Sequence, residues 1–230
     1  MSKENTYDAI VVGSGISGGW AAMELCRKGL KTLVLERGRN VRHIVDYKTA
    51  NMEPWEMHNG GKTSLKEKAE HYKVQSRTGY TVKEQRKHFF VKDSEHPYKE
   101  IQRFDWMRGY HEGGRSLMWG RQVYRWSDLD FEANAKEDVA IDWPIRYKDV
   151  QPWYDYVERF IGISGEKLGL PHLPDGQFMP PMELNCVEKH LKGTLKDNFE
   201  DGRLLTIGRV AHITGKLEHD ETPHRGQCQY

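Results

Sequence analysis

The sequence predicts an α/β fold, and three stretches of its 230 residues carry the prediction. Residues 7–38 read as a strand, a glycine turn, a helix and a second strand. Residues 104–130 gather glycine a second time, among arginines and tryptophans. Residues 142–161 space their apolar side chains as an amphipathic helix does. A strand–helix–strand order of the first kind builds parallel sheets with helices on their faces.

In the first stretch, Ala9, Ile10, Val11 and Val12 form the continuous apolar run expected of a strand buried on both faces of a parallel sheet. Gly13, Gly15 and Gly18 follow in the spacing GxGxxG. Gly13 permits the tight turn off the strand, Gly15 lets a pyrophosphate approach the backbone, and Gly18 lets the next helix pack closely on the strand. A helix beginning near Ser17 aims its free N–H groups at that phosphate. The second strand, Thr32 to Leu35, ends at Glu36, 23 residues after Gly13. An acid about 20 residues on is the expected partner of the ribose hydroxyls. Its charge disfavours a 2′-phosphate, and so NADP, although Arg37 beside it keeps that option open. The plainer alternative is a turn that holds nothing. A strand before, a helix after and an acid at this distance together favour a dinucleotide site, and with it a Rossmann-like domain.

Composition bounds the remaining possibilities. The chain is polar, with hydrophobic residues at 37% and charged residues at 30%, and its formal net charge is +1. A nucleic-acid-binding role has no electrostatic footprint in that balance. Seven tryptophans and eleven tyrosines argue against disorder. Cys26, Cys186 and Cys228 are few and scattered, so they imply no disulfide framework, and Cys26 is expected in the core. The N-terminal apolar run is too glycine-rich for a signal peptide, and Glu4 and Asp8 stand where basic residues would be needed. No stretch has the length of a membrane span. The default compartment is therefore the cytoplasm, with periplasmic export alongside a signal-bearing partner subunit as the alternative.

Residues 39–103 lack a sustained period, and read as an insertion or lid or as a solvated loop. Within them, Tyr72 to Arg77 and Lys87 to Lys92 are expected as strands, with a turn at Thr78-Gly79. In residues 104–130 a double glycine, Gly113-Gly114, precedes Ser116 and offers exposed N–H groups to an anion or to the polar edge of a ring. In residues 142–161, Asp149 is expected as the cap and Pro152 in the first turn. Val150, Trp153, Tyr154, Val157, Phe160 and Ile161 form one buried aromatic face, ended by Gly162. A Pro/Gly loop follows from Gly169 to Pro181. Val187, Leu191, Leu195 and Phe199 mark a second helix, ended by Asp201-Gly202, and Leu204 to Ile207 read as a short strand. The eleven histidines show no metal-binding spacing; His224 and Cys228 are two ligands at most and make no site.

Three stretches together resemble the glucose–methanol–choline (GMC) family of flavoprotein oxidoreductases. YDAIVVGSGISGGWAAMELCRKGLKTLVLERG resembles its N-terminal FAD fingerprint. RGYHEGGRSLMWGRQ resembles its second glycine motif, which lies along the flavin. DWPIRYKDVQPWYDYVERFIGISG is similar to the W-P-I-x-Y-x-D-x-x-P-x-Y segment of the sugar-oxidising branch, which includes gluconate dehydrogenase flavoprotein subunits, pyranose oxidases and sugar 3-dehydrogenases. The resemblance implies FAD as cofactor. It implies that Gly13, Gly15, Ser17 and Gly18 meet the pyrophosphate, that Glu36 meets the ribose and that Arg37 lies near the adenosine. It also implies that Gly113, Gly114 and Ser116 form the flavin loop, with Met118, Trp119 and Gly120 close to the isoalloxazine. Met118 stands where pyranose oxidases carry a flavin-linking histidine, so the flavin is expected to be held non-covalently. Arg115 stands where a smaller residue is usual.

The resemblance further implies that residues 1–38, about 104–135 and about 203–230 are parts of the FAD-binding domain, and that 140–200 is a helical segment bordering a substrate-side domain. The family's basic histidine has no counterpart before Tyr230, and none of His111, His212 or His224 is promoted to that role. The expectation is an N-terminal fragment whose substrate domain lies downstream. The implied reaction oxidises a sugar or polyol hydroxyl, with electrons passing to an acceptor such as a cytochrome c or a small partner subunit. A nicotinamide-dependent dehydrogenase and a truncated, non-catalytic flavin-binding or subunit-interaction protein are the alternative readings.

Overall fold

The computed structural model describes residues 6–79, 81–215 and 225–228. Tyr80, His224 and Tyr230 lie outside them. The chain divides into two compact units, Met1–Trp119 and Gly120–Tyr230, each with a mixture of helix and short strand.

In the first unit, β1 (Ala9–Val12) runs parallel to β2 (Thr32–Leu35), with Ala9 opposite Thr32 and Val12 opposite Leu35. Helix α1 (Ile16–Arg27) makes the crossover. Successive side chains of a strand alternate between faces. Val11 is buried and lies beside α1 at Gly18, whereas Ile10 and Val12 point the other way and are 61% and 82% exposed. Among the described residues, β1 is therefore covered on one face only, where the sequence predicts burial on both. Cys26, expected in the core, is exposed on α1.

The rest of this unit is helical turn rather than strand. Helix α2 (Leu65–His71) starts where the Ser64 side chain accepts from the Glu67 N–H, an N-cap that ends any extended run toward Tyr72. Gln75–Arg77 and Lys87–Phe89 are 3₁₀ turns, correcting the two expected strands. The buried Gln75 side chain donates to the Val91 carbonyl at 2.9 Å, taking the place of a backbone ladder. Phe89, Phe90 and Val91 are all buried in succession; a strand with one covered face would expose every second residue. Tyr72, Val82 and Phe90 form a small core, against which Met118 packs.

In the second unit, α3 (Asp128–Phe131) and α4 (Ala133–Glu137) precede the long α5 (Tyr147–Ile161). Next come β3 (Ile163–Ser164), its parallel partner β4 (Phe178–Met179) and α6 (Cys186–Asn198). Helix α5 begins one turn before its expected cap. Arg146 is the N-cap and Asp149 the third residue, whose carboxylate accepts from the Arg146 N–H at 2.8 Å, so Pro152 falls in the second turn. The residue this helix buries most deeply is a charge: Glu158 is 2% exposed, whereas of the expected apolar face Val150, Tyr154, Val157, Phe160 and Ile161 are half-buried and Trp153 is 68% exposed. Arg125, itself buried, is the reason. Its guanidinium donates to Glu158 Oε1 at 2.8 Å and Oε2 at 2.6 Å, and to the Tyr147 hydroxyl at 2.9 Å. Burial opposes the Arg125 charge, but the bonds to Glu158, Asp155 and Tyr147 outweigh it and hold its pKa above the usual value.

Helix α6 stops at Asn198, and Phe199 is already extended, ahead of the expected Asp201-Gly202 stop. Leu204 to Ile207 form no strand. The pairing lies downstream, where Val210 bridges to Gln122 and Ser164. Beside it the buried Arg209 donates to the Pro174 carbonyl at 2.6 Å and to Asp175 at 3.0 Å, pinning the Pro/Gly loop. Among the described residues, no helix is long and apolar enough to cross a membrane, and no group of three or more His, Cys, Asp or Glu could hold a metal.

Candidate functional site

The turn after β1 is shaped by what its glycines leave out. Gly13 adopts φ +89°, and its N–H donates to the Leu35 carbonyl at 2.7 Å, carrying the β1–β2 pairing into the turn. A Cβ on Gly18 would collide with the Gly13 carbonyl and sit 3.4 Å from Val11 Cγ1, so only glycine lets α1 come this close to β1. A Cβ on Gly15 would meet nothing within 4 Å. Gly15 is also the N-cap of α1, and no side chain caps the helix N–H groups. Open space and uncapped donors at the N-terminus of a twelve-residue helix are what a phosphate requires.

Glu36 closes the other side of this turn. The Ser14 N–H and hydroxyl both donate to Glu36 Oε2 at 2.7 Å, and the Gly38 N–H donates to Oε1 at 2.7 Å. The Ser14 hydroxyl first, then these N–H groups, hold the carboxyl well below the usual range, at about 2. Glu36 is therefore an anion at any physiological pH and can accept from a diol.

The second glycine stretch arrives at the same place. Gly113 (φ +83°) and Gly114 (φ +54°) open a 3₁₀ turn that runs to Met118. The Gly113 N–H donates to Ser14 Oγ at 2.9 Å, and a Cβ on Gly114 would lie 3.2 Å from Gly15 Cα. Upstream, Arg39 donates through its N–H to the Tyr110 carbonyl and accepts from the Glu112 N–H. A Cβ on Gly38 would collide with the His111 backbone, so the end of β2 and the 110–114 segment touch backbone to backbone.

The structure thus brings together Gly13, Gly15, Gly18, Glu36, Gly113 and Gly114. Ser17 is exposed in the first turn of α1. Ser116 serves its own loop, its hydroxyl donating to the Gly113 carbonyl at 2.7 Å. The Arg37 guanidinium lies 3.8 Å from the centre of the Tyr110 ring. Met118 turns its side chain toward the core of Tyr72, Val82 and Phe90. Trp119 is partly exposed at the end of the first unit, and Gly120 begins the second. Sequence reasoning missed Ser14, Gly38 and Tyr110. For Ser14 a signal existed: a hydroxyl between two motif glycines, where the backbone must turn past the acid.

One histidine of the first unit, His111, lies in the segment just before Gly113. His111 is almost fully buried, and desolvation, followed by the Arg39 charge, lowers its pKa below the ordinary value; in the second unit the half-buried His212 is shifted the same way, chiefly by desolvation. A separate cavity of about 510 Å³ lies between residues 39, 72, 87–96 and 110–111 of the first unit. Its charges are already matched: Lys87 pairs with Glu67 and Glu84, Lys92 with Glu95, and Arg39 with Asp46.

The sequence is similar to those of known proteins. The chain is 24% identical over 167 residues to 6'''-hydroxyparomomycin C oxidase of Streptomyces lividus, covering 71% of this chain and 24% of that protein. It is 24% identical over 176 residues to 2-methyl-1,2-propanediol dehydrogenase of Mycolicibacterium austroafricanum, covering 73% of this chain and 26% of that protein. It is 25% identical over 185 residues to the fructose dehydrogenase large subunit of Gluconobacter japonicus, covering 79% and 30%. The chain spans about a quarter of the length of the curated relatives it matches. Residues 8–136, more than half of the chain, match the family described as FAD binding domain. The chain belongs to that FAD-binding family, and FAD is its cofactor.

Proposed function

We propose that this chain forms the FAD-binding part of a flavin-dependent oxidoreductase of the glucose–methanol–choline type, acting on a hydroxyl of a sugar or polyol. The observation that carries the reading is the convergence of two glycine motifs, about a hundred residues apart in sequence, on one open cradle bounded by Glu36. The parallel β1–α1–β2 unit supports a Rossmann-like core for that cradle. The activities named for the relatives, a 6'''-hydroxyparomomycin C oxidase, a 2-methyl-1,2-propanediol dehydrogenase and a fructose dehydrogenase large subunit, support the substrate class.

In this reading, Gly15 and the first N–H groups of α1 hold the pyrophosphate, and Glu36 accepts from the ribose hydroxyls. Gly113, Gly114 and Ser116 bring the second loop along the cofactor, and Arg37, stacked on Tyr110, borders the adenosine. Bound FAD supplies the acceptor for the hydride leaving the oxidised carbon. The cofactor is held without a covalent bond, because Met118 has no nucleophilic nitrogen and its side chain packs inward. A cytochrome c or a small partner subunit is the proposed electron acceptor. His111 is not assigned as the base that takes the hydroxyl proton, since burial fixes it within the protein.

The test is the visible spectrum of the full-length protein, loaded with FAD and mixed anaerobically with fructose, glucose and 2-methyl-1,2-propanediol in turn. Bleaching of the flavin by at least one of them is expected. A flavin that stays oxidised with sugars and diols but is bleached by a different alcohol or amine class would contradict the substrate assignment.

A further inference from the structure

Ser14 stands between two motif glycines and ties together three segments that are far apart in the chain. Its hydroxyl donates to Glu36 Oε2 at 2.7 Å and accepts from the Gly113 N–H at 2.9 Å. Its own N–H donates to the same Glu36 oxygen at 2.7 Å. A hydroxyl has one proton and two lone pairs, and here the proton and one lone pair are both committed. The two residues it joins belong to the two sides of the cradle: the acid at the end of β2, and the loop whose Gly114 comes up against Gly15.

We infer that Ser14 is a positioning residue for FAD, its hydroxyl fixing the direction of the Glu36 carboxylate and the approach of the Gly113–Gly114 loop to the pyrophosphate turn before the cofactor arrives. The inference rests on the FAD-cradle reading above. Its physical content is preorganisation: a carboxylate and a loop already held in place need not be ordered when the ligand binds. The backbone N–H of residue 14 survives any substitution except proline, so the turn keeps one bond to Glu36 when the hydroxyl is removed. What is lost is the bridge to Gly113, together with the second bond that orients Glu36.

The experiment compares FAD affinity of the full-length protein as wild type, Ser14→Ala and Ser14→Thr, by fluorescence titration of the FAD-free form. Each FAD-free protein is also melted thermally. Ser14→Ala should bind FAD roughly ten- to a hundredfold more weakly, while Ser14→Thr, which keeps a hydroxyl on the same carbon, should return to within about threefold of wild type. Ser14→Ala should melt modestly lower than wild type without FAD, because the Ser14 hydroxyl contributes most to the low Glu36 pKa, and affinities are compared at a temperature where all three FAD-free proteins are folded. A Ser14→Ala protein that binds FAD as tightly as wild type would overturn the inference. So would a Ser14→Thr protein that melts like wild type yet binds as weakly as the alanine variant. Failure of wild type itself to bind FAD would instead remove the FAD-cradle reading on which the inference stands.

Discussion

Glu36 accepts hydrogen bonds from the protein itself, foremost the Ser14 hydroxyl and N–H and then the Gly38 N–H, and they hold its carboxyl at about 2. A carboxylate whose pKa falls on folding adds stability above its unfolded pKa and loses it as pH drops through the folded value. For Glu36 that window runs from the ordinary 4.5 down to about 2. Urea unfolding of the FAD-free protein at pH 6 and at pH 3 should therefore show a loss on acidification that is smaller in Glu36→Gln. An equal loss in both proteins would show that Glu36 is not held as described. At this scale the sequence was legible where glycine spacing speaks: Gly13, Gly15, Gly18 and the acid at position 36 can be read from a strand, a turn and a distance. Gly38 was not, and Ser14 was legible only as a hydroxyl between two motif glycines. Which atoms each of them meets across the turn is encoded by neither spacing nor composition. Cys26 failed for a related reason, since an apolar residue on an amphipathic helix can face outward when only one side of the sheet is covered.

Among the elements, α5 teaches most. Its apolar spacing revealed the helix, but not which face is buried. Burial follows Arg125, a residue 33 positions from Glu158 in sequence, whose fork takes both oxygens of that carboxylate. Removing one partner of a buried ion pair leaves the other charge without compensation, at a cost of about 3–5 kcal/mol. Glu158→Ala should thus lower the stability of the chain by about that much, whereas Trp153→Ala at an exposed position should change it by about 0.5 kcal/mol or less. Paired urea titrations decide the order, and a larger loss at Trp153 would restore the aromatic-face reading. The two expected strands at Tyr72 to Arg77 and Lys87 to Lys92 were misread for a different reason. Short runs of aromatic and β-branched residues resemble strands, but the Ser64 cap and the Gln75 side chain offer the backbone other partners. The S-x-x-E signature at Ser64 and Glu67 was present in the sequence to be read.

For the molecule as a whole, the sequence shows its chemistry more plainly than its architecture. FAD as the cofactor could be read from two glycine motifs, because those motifs are local and their geometry is dictated by backbone contact; the family matched is the one described as FAD binding domain, a different family from the glucose–methanol–choline family that the motifs resemble. Sheet size could not. Parallel sheets are covered on both faces, yet the described residues supply β1 and β2 with one cover and leave Ile10, Val12 and Leu35 exposed. The central claim is that the space before Gly15 is where the pyrophosphate lies. The most direct measurement is the bound-flavin spectrum of the full-length protein after incubation with FAD and desalting, for wild type and for Gly15→Val. No atom of the protein lies within 4 Å of a Cβ placed there, so the variant should fold and melt like wild type while a side chain fills the ligand's space. Wild type that retains flavin beside a folded, colourless Gly15→Val is the predicted result. A folded Gly15→Val that retains flavin as fully as wild type would contradict the site.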